Sequence, residues 1–113
     1  MLIPNDVTEI EVEQVMDAIT KDKDVAILDV RTNAEYRRGH IAGSLNIPVD
    51  ELPRRAKGTF KDKNRVIYVY CLSGSRSSVA ASELLEMGYK NIFNVRSGLL
   101  SWRTNGYPLS IID

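Results

Sequence analysis

Apolar residues in this chain fall into short runs separated by stretches with helical spacing. Val25-Ala26-Ile27-Leu28-Asp29-Val30 is an almost continuous apolar run, as in a strand buried on both faces. Val66-Ile67-Tyr68-Val69-Tyr70, β-branched and aromatic throughout, is the strongest strand signal. Residues 44–47 predict a short strand stopped by Pro48, and Ile92-Phe93-Asn94-Val95 predicts one more. Between them lie helices. Thr8 can cap one whose apolar residues Val12, Val15, Met16 and Ile19 recur at helical spacing. Short helices are expected over residues 34–38, 50–56 and 99–105, and a loop between Gly39 and Gly43. A longer helix carries Val79, Ala80, Leu84, Leu85 and Met87 and stops at Gly88. Strands alternating with helices predict a parallel sheet covered on both sides, an α/β fold.

The 113 residues fit one domain, spanning 1–113, with no repeat or linker to divide it. A hydrophobic fraction of 43% and a charged fraction of 27% are those of a globular protein. Formal net charge is zero, so no global field favours nucleic acid or an anionic membrane. The charge is nonetheless segregated. Asp6, Glu9, Glu11, Glu13 and Asp17 form an acidic stretch, and Arg54, Arg55, Lys57, Lys61, Lys63 and Arg65 a basic one; both read as solvated faces. One cysteine excludes an internal disulfide, and with one histidine it cannot build a structural zinc site. A lone thiol suits a reducing compartment. Residues 1–6 lack the pattern of a secretory leader and no apolar run is long enough to span a bilayer, so a cytoplasmic location is expected.

The chemistry concentrates in Cys71-Leu72-Ser73-Gly74-Ser75-Arg76-Ser77, between the strongest strand and a helix. Ligands of open α/β sheets bind at the carboxyl ends of strands, where this loop lies. Gly74 permits backbone angles that let successive N–H groups turn inward as an anion-binding nest. The following helix presents its positive end there, Arg76 adds a cation, and Ser73, Ser75 and Ser77 are short donors. A thiolate at Cys71 is stabilised in such a setting and its pKa falls. It can attack sulfur or phosphorus, and the amides would hold the covalent intermediate. The competing reading is a small apolar residue that ends a core strand.

The same loop resembles the active-site loop of rhodaneses, Cys-x-x-Gly-x-Arg followed by Ser or Thr. Asp29-Val30-Arg31, Glu35-Tyr36, Gly39-His40-Ile41-Ala42-Gly43-Ser44 and Asn46-Ile47-Pro48 follow that family's order and spacing. So do Gly88-Tyr89, Asn94-Val95, Gly98, Trp102 and Tyr107-Pro108, and the likeness covers nearly the whole chain. The resemblance implies a three-layer α/β/α fold with a five-stranded parallel sheet in the order 3-2-4-5-1. It implies a sulfurtransferase in which Cys71 takes a sulfane sulfur from thiosulfate or a persulfide donor and yields it to a thiophilic acceptor. In these terms the amides of Leu72, Ser73, Gly74, Ser75, Arg76 and Ser77 cradle the persulfide, and Arg76 helps bind the anionic donor. No metal or organic cofactor is implied. With no second cysteine, release depends on an external thiol or a thioredoxin-like partner.

Other residues read differently. Asp29 is expected to be a structural support at the strand end, and Arg31 stands open between support and substrate contact; Arg31 and Glu35 can pair across one helical turn. His40 is expected to serve the loop fold rather than act as a base, and Trp102 to anchor the last helix. Two rival functions remain. Related phosphatases and arsenate reductases place five residues between cysteine and arginine, whereas residues 72–75 place four here, a ring better suited to sulfur than phosphate. A non-catalytic rhodanese-like binding module is the other.

Overall fold

The computed structural model describes residues 7–112. Asp6 of the acidic stretch, and the leader reading of residues 1–6, lie outside the described residues. In chain order the elements are β1 (Thr8–Ile10), α1 (Val12–Thr20), β2 (Ala26–Asp29), α2 (Asn33–Arg38), β3 (His40–Ile41) and β4 (Leu45–Asn46). A 3-10 turn at Val49–Glu51 leads into α3 (Leu52–Thr59). Then come β5 (Val66–Tyr70), α4 (Ser75–Glu86), β6 (Asn91–Val95), α5 (Gly98–Thr104) and β7 (Leu109–Ser110).

Five strands form one sheet in the order β1-β6-β5-β2-β4, with every pairing parallel. Numbered among themselves along the chain and read from the other edge, that order is 3-2-4-5-1. The central strand β5 sends alternate side chains to opposite faces, as the two-residue period of a strand requires. Ile67 and Val69 pack with Leu52 and Ala56 of α3 and Ala80, Ala81 and Leu84 of α4. Tyr70 packs on the other side with Val12 and Val15 of α1 and Leu99 and Trp102 of α5. Both faces are therefore covered, which is why the β2 and β5 segments are apolar runs rather than alternating ones. Leu28, Ile67, Leu84, Leu99 and Trp102 are fully buried, each side chain worth about 1.5–3 kcal/mol of transfer free energy.

Two expectations are corrected. Thr8 does not cap α1: it lies in β1, paired with Phe93 of β6, and Glu11 is the N-cap, its N–H donating to Gln14 Oε1 at 3.0 Å. β1 is a three-residue edge strand whose only buried residue is Ile10, so tertiary pairing rather than local pattern makes it a strand. The loop expected between Gly39 and Gly43 carries β3, which pairs antiparallel with β7; each strand is only two residues long, too short to leave a pattern in the sequence.

Candidate active site

Cys71 directly follows β5, and by alternation it joins the Val69 face, where it is 1% exposed. Gly74, at φ +116°, then turns the chain into α4. That turn folds the first amides of the helix back on the sulfur. The N–H of Gly74 donates to Cys71 Sγ at 3.1 Å and that of Ser77 at 3.4 Å. The Ser77 hydroxyl lies 3.4 Å from the sulfur. Burial pushes the thiol pKa up, but the Ser77 hydroxyl and the amides of Ser77, Gly74 and Ser73 outweigh it and bring it below the ordinary cysteine value. A cysteine that merely filled the core would have no such donors at its sulfur.

The start of α5 closes the loop from the opposite side. The N–H groups of Leu99 and Leu100 donate to the carbonyls of Cys71 and Leu72 at 2.9 and 3.0 Å. Gly98 makes this approach possible: its φ is +44°, and a Cβ there would collide with the Cys71 carbonyl. Ser73 and Ser75 are exposed, and Leu72 is half-buried.

Arg76 is held by Glu35 of α2 in a forked pair, Nη1 to Oε1 at 2.8 Å and Nη2 to Oε2 at 3.1 Å. The Arg76 hydrogen bonds, with help from Thr32, outweigh burial and bring the Glu35 carboxyl to about 2. The expected Arg31–Glu35 contact is thereby corrected. Arg31 instead forks onto Asp29, with its Nη2 at 2.7 Å from both Asp29 Oδ2 and the Gly39 carbonyl. Both residues are buried. Around them Asn46 Nδ2 donates to the carbonyls of Asp29 and Arg31 at 3.0 and 2.9 Å. The Tyr70 hydroxyl accepts the Ile41 N–H at 3.0 Å and meets Ser44 Oγ at 3.1 Å. Asp29 and Arg31 thus anchor the loop of residues 39–44. His40 belongs to the same loop: its ring stacks on Tyr36 with centroids 3.8 Å apart, and Nδ1 lies 2.7 Å from the Tyr36 carbonyl. Trp102 is fully buried, its indole N–H donating to the Pro108 carbonyl at 2.9 Å.

Three neighbours of the loop are not placed there by local sequence pattern: Glu35 as the partner of Arg76, and Asn94 and Glu9 behind Ser77. Asn94 left a signal, an amide set between Phe93 and Val95 in an apolar run, since a buried amide demands partners. Among the described residues no three His, Cys, Asp or Glu side chains gather as a metal site. Nor is any helix among them long and apolar enough to cross a membrane.

Comparison with protein families matches residues 11–105 to the rhodanese-like domain. The chain belongs to the rhodanese-like family. Its relatives include a sulfurtransferase of Allochromatium vinosum, 36% identical over 103 residues that cover 91% of this chain and 94% of that one. A putative sulfur carrier protein of Bacillus subtilis, YrkF, is 36% identical over 85% of this chain, which spans about half of that protein (51%). Among solved structures, the thiosulfate sulfurtransferase of Pseudomonas aeruginosa superposes with a TM-score of 0.88 at 24% identity, covering 96% of this chain and 21% of that one; this likeness is of fold. The rhodanese-like chain thus has the family's α/β architecture and a sulfurtransferase relative of matching length.

Proposed function

We propose that this rhodanese-like domain moves a sulfane sulfur from thiosulfate or a persulfide donor to a thiol acceptor through a persulfide on Cys71. The observation that carries the reading is the convergence of the Gly74 and Ser77 amides on Cys71 Sγ at the start of α4. The thiolate attacks the sulfane sulfur of thiosulfate; a new S–S bond forms, the old one breaks, and sulfite leaves with the bonding pair. The amides that held the thiolate then hold the terminal sulfur. An acceptor thiolate attacks that sulfur, and Cys71 departs as a thiolate, so the site returns to its starting state. Acceptors of this chemistry are small thiols or a thioredoxin-like protein, in a reducing, cytoplasmic setting. Arg76 contributes to donor binding to the extent that the anion competes with Glu35 for the guanidinium.

Mass spectrometry after thiosulfate treatment tests this. One sulfur atom gained on Cys71, lost in Cys71→Ala and discharged by added thiol, is the expected result. The burial of Cys71 to 1% favours a second reading, a non-catalytic binding module. An unmodified Cys71 across thiosulfate, polysulfide and glutathione persulfide would establish it.

A further inference from the structure

A chain of side-chain hydrogen bonds runs from the sulfur to the edge of the sheet. Cys71 Sγ lies 3.4 Å from Ser77 Oγ, Ser77 Oγ 2.6 Å from Asn94 Oδ1, and Asn94 Nδ2 3.0 Å from Glu9 Oε2. Ser77 and Asn94 are 0% and 1% exposed. The chain is built by strand register, because Glu9 of β1 lies directly opposite Asn94 of β6.

A hydroxyl has one proton, and that of Ser77 has three acceptors within reach: Asn94 Oδ1, the Gly74 carbonyl at 3.2 Å and the Cys71 sulfur. Asn94 offers the shortest contact. While the hydroxyl serves Asn94, its oxygen can accept only from the thiol S–H. Once Cys71 ionises, the sulfur needs that proton itself, and giving it leaves the buried Asn94 carbonyl without a donor. Glu9 decides which end of the amide faces Ser77. A carboxylate only accepts, so it takes the Nδ2 end and turns Oδ1 inward.

We propose that Asn94 is a positioning residue for Cys71, acting through the Ser77 hydroxyl, with its amide oriented by Glu9. It competes with the sulfur for the Ser77 proton and so tunes the stability of the thiolate and of the persulfide that replaces it. The inference rests on Cys71 being the reactive thiol of the proposed function. The charged groups around the relay are Arg76 with Glu35 beside the loop, the mutually paired Asp29 and Arg31 at the end of β2, and Arg96. Arg96 lies 3.3 Å from Glu9 and 2.8 Å from Glu11.

Titration of the thiolate by its ultraviolet absorbance, without any donor, tests the relay in the full chain. Asn94→Leu removes the competing acceptor with little change of shape, and Glu9→Gln releases the amide from the surface side. Both are expected to lower the Cys71 pKa, Asn94→Leu by roughly half to one pH unit, and neither to move it in a Ser77→Ala background. An unmoved titration in both variants, or equal shifts with and without Ser77, overturns the proposal. If Asn94→Leu fails to fold, the Glu9→Gln pair decides alone. Because ionisation is read apart from sulfur transfer, a failed donor screen does not touch this result. An unmoved titration sinks the relay even where transfer is robust.

Discussion

At Cys71 burial and hydrogen bonding pull in opposite directions, and the donors win. The same contest is settled differently at the neighbouring Tyr70, whose phenol burial pushes far up, so that it serves as a fixed O–H in the network around Asp29. Asp29 and Arg31 are buried charges that satisfy one another and the loop of residues 39–44. Removing one leaves the other uncompensated. Asp29→Ala is therefore expected to cost about 3–5 kcal/mol of unfolding free energy, measured by denaturant titration, and Arg31→Ala a similar amount. A loss under about 1 kcal/mol would mean that water relieves the orphaned charge. The sequence placed Asp29 and Arg31 at a strand end but offered Glu35 as the partner of Arg31. It did not give their further partners, because Gly39 and Tyr70 reach Arg31 only through the fold.

At the scale of elements, the site is a meeting of two helix starts, α4 and α5, on one strand end. Gly98 is the point of closest approach. Gly98→Ala places a Cβ against the Cys71 carbonyl at a positive φ, and it is expected to destabilise the protein by roughly 2 kcal/mol or more. Because the strain falls on Cys71 itself, the rate of persulfide formation should drop more than tenfold in material that is still folded; thermal melts and stopped-flow kinetics separate the two effects. Helices α2 and α4 are joined by Glu35 and Arg76. The Glu35 carboxyl is depressed from 4.5 to about 2, so its contribution is present above pH 4.5 and is lost as pH falls toward 2. Both side chains are partly exposed, so solvent screens the pair and the contribution is small. The difference in Tm between wild type and Glu35→Gln, positive at neutral pH, is expected to shrink across that acid window. Constancy of the difference would show that the carboxylate is not what joins the helices. None of this was legible locally: residues 35 and 76 are far apart in sequence, and Glu35 had a nearer candidate in Arg31.

At the scale of the molecule, one sheet separates two apolar layers that share strands β2 and β5. Neither layer can be lost without exposing the sheet face it covers, so unfolding should be a single cooperative event. Leu84→Ala on one face and Trp102→Ala on the other are expected to cost about 2–5 and 3–5 kcal/mol. Each should shift the same transition in calorimetry, with calorimetric and van't Hoff enthalpies in agreement. A second transition in either variant would mean that the layers melt separately.

The sequence by itself determined the α/β class, the sheet's apolar strands β2, β5 and β6, and the cysteine loop as the candidate site. Those features are written in contiguous residues: runs of β-branched side chains, a glycine where the backbone must turn, and a helix start. Only the tertiary structure decided that residues 8–10 form an edge strand and that Arg76 pairs with Glu35. It alone connected Cys71 through Ser77 and Asn94 to Glu9. Those outcomes depend on strand register and on which helix faces which. Both are set by burying two apolar faces at once, and no local pattern encodes them.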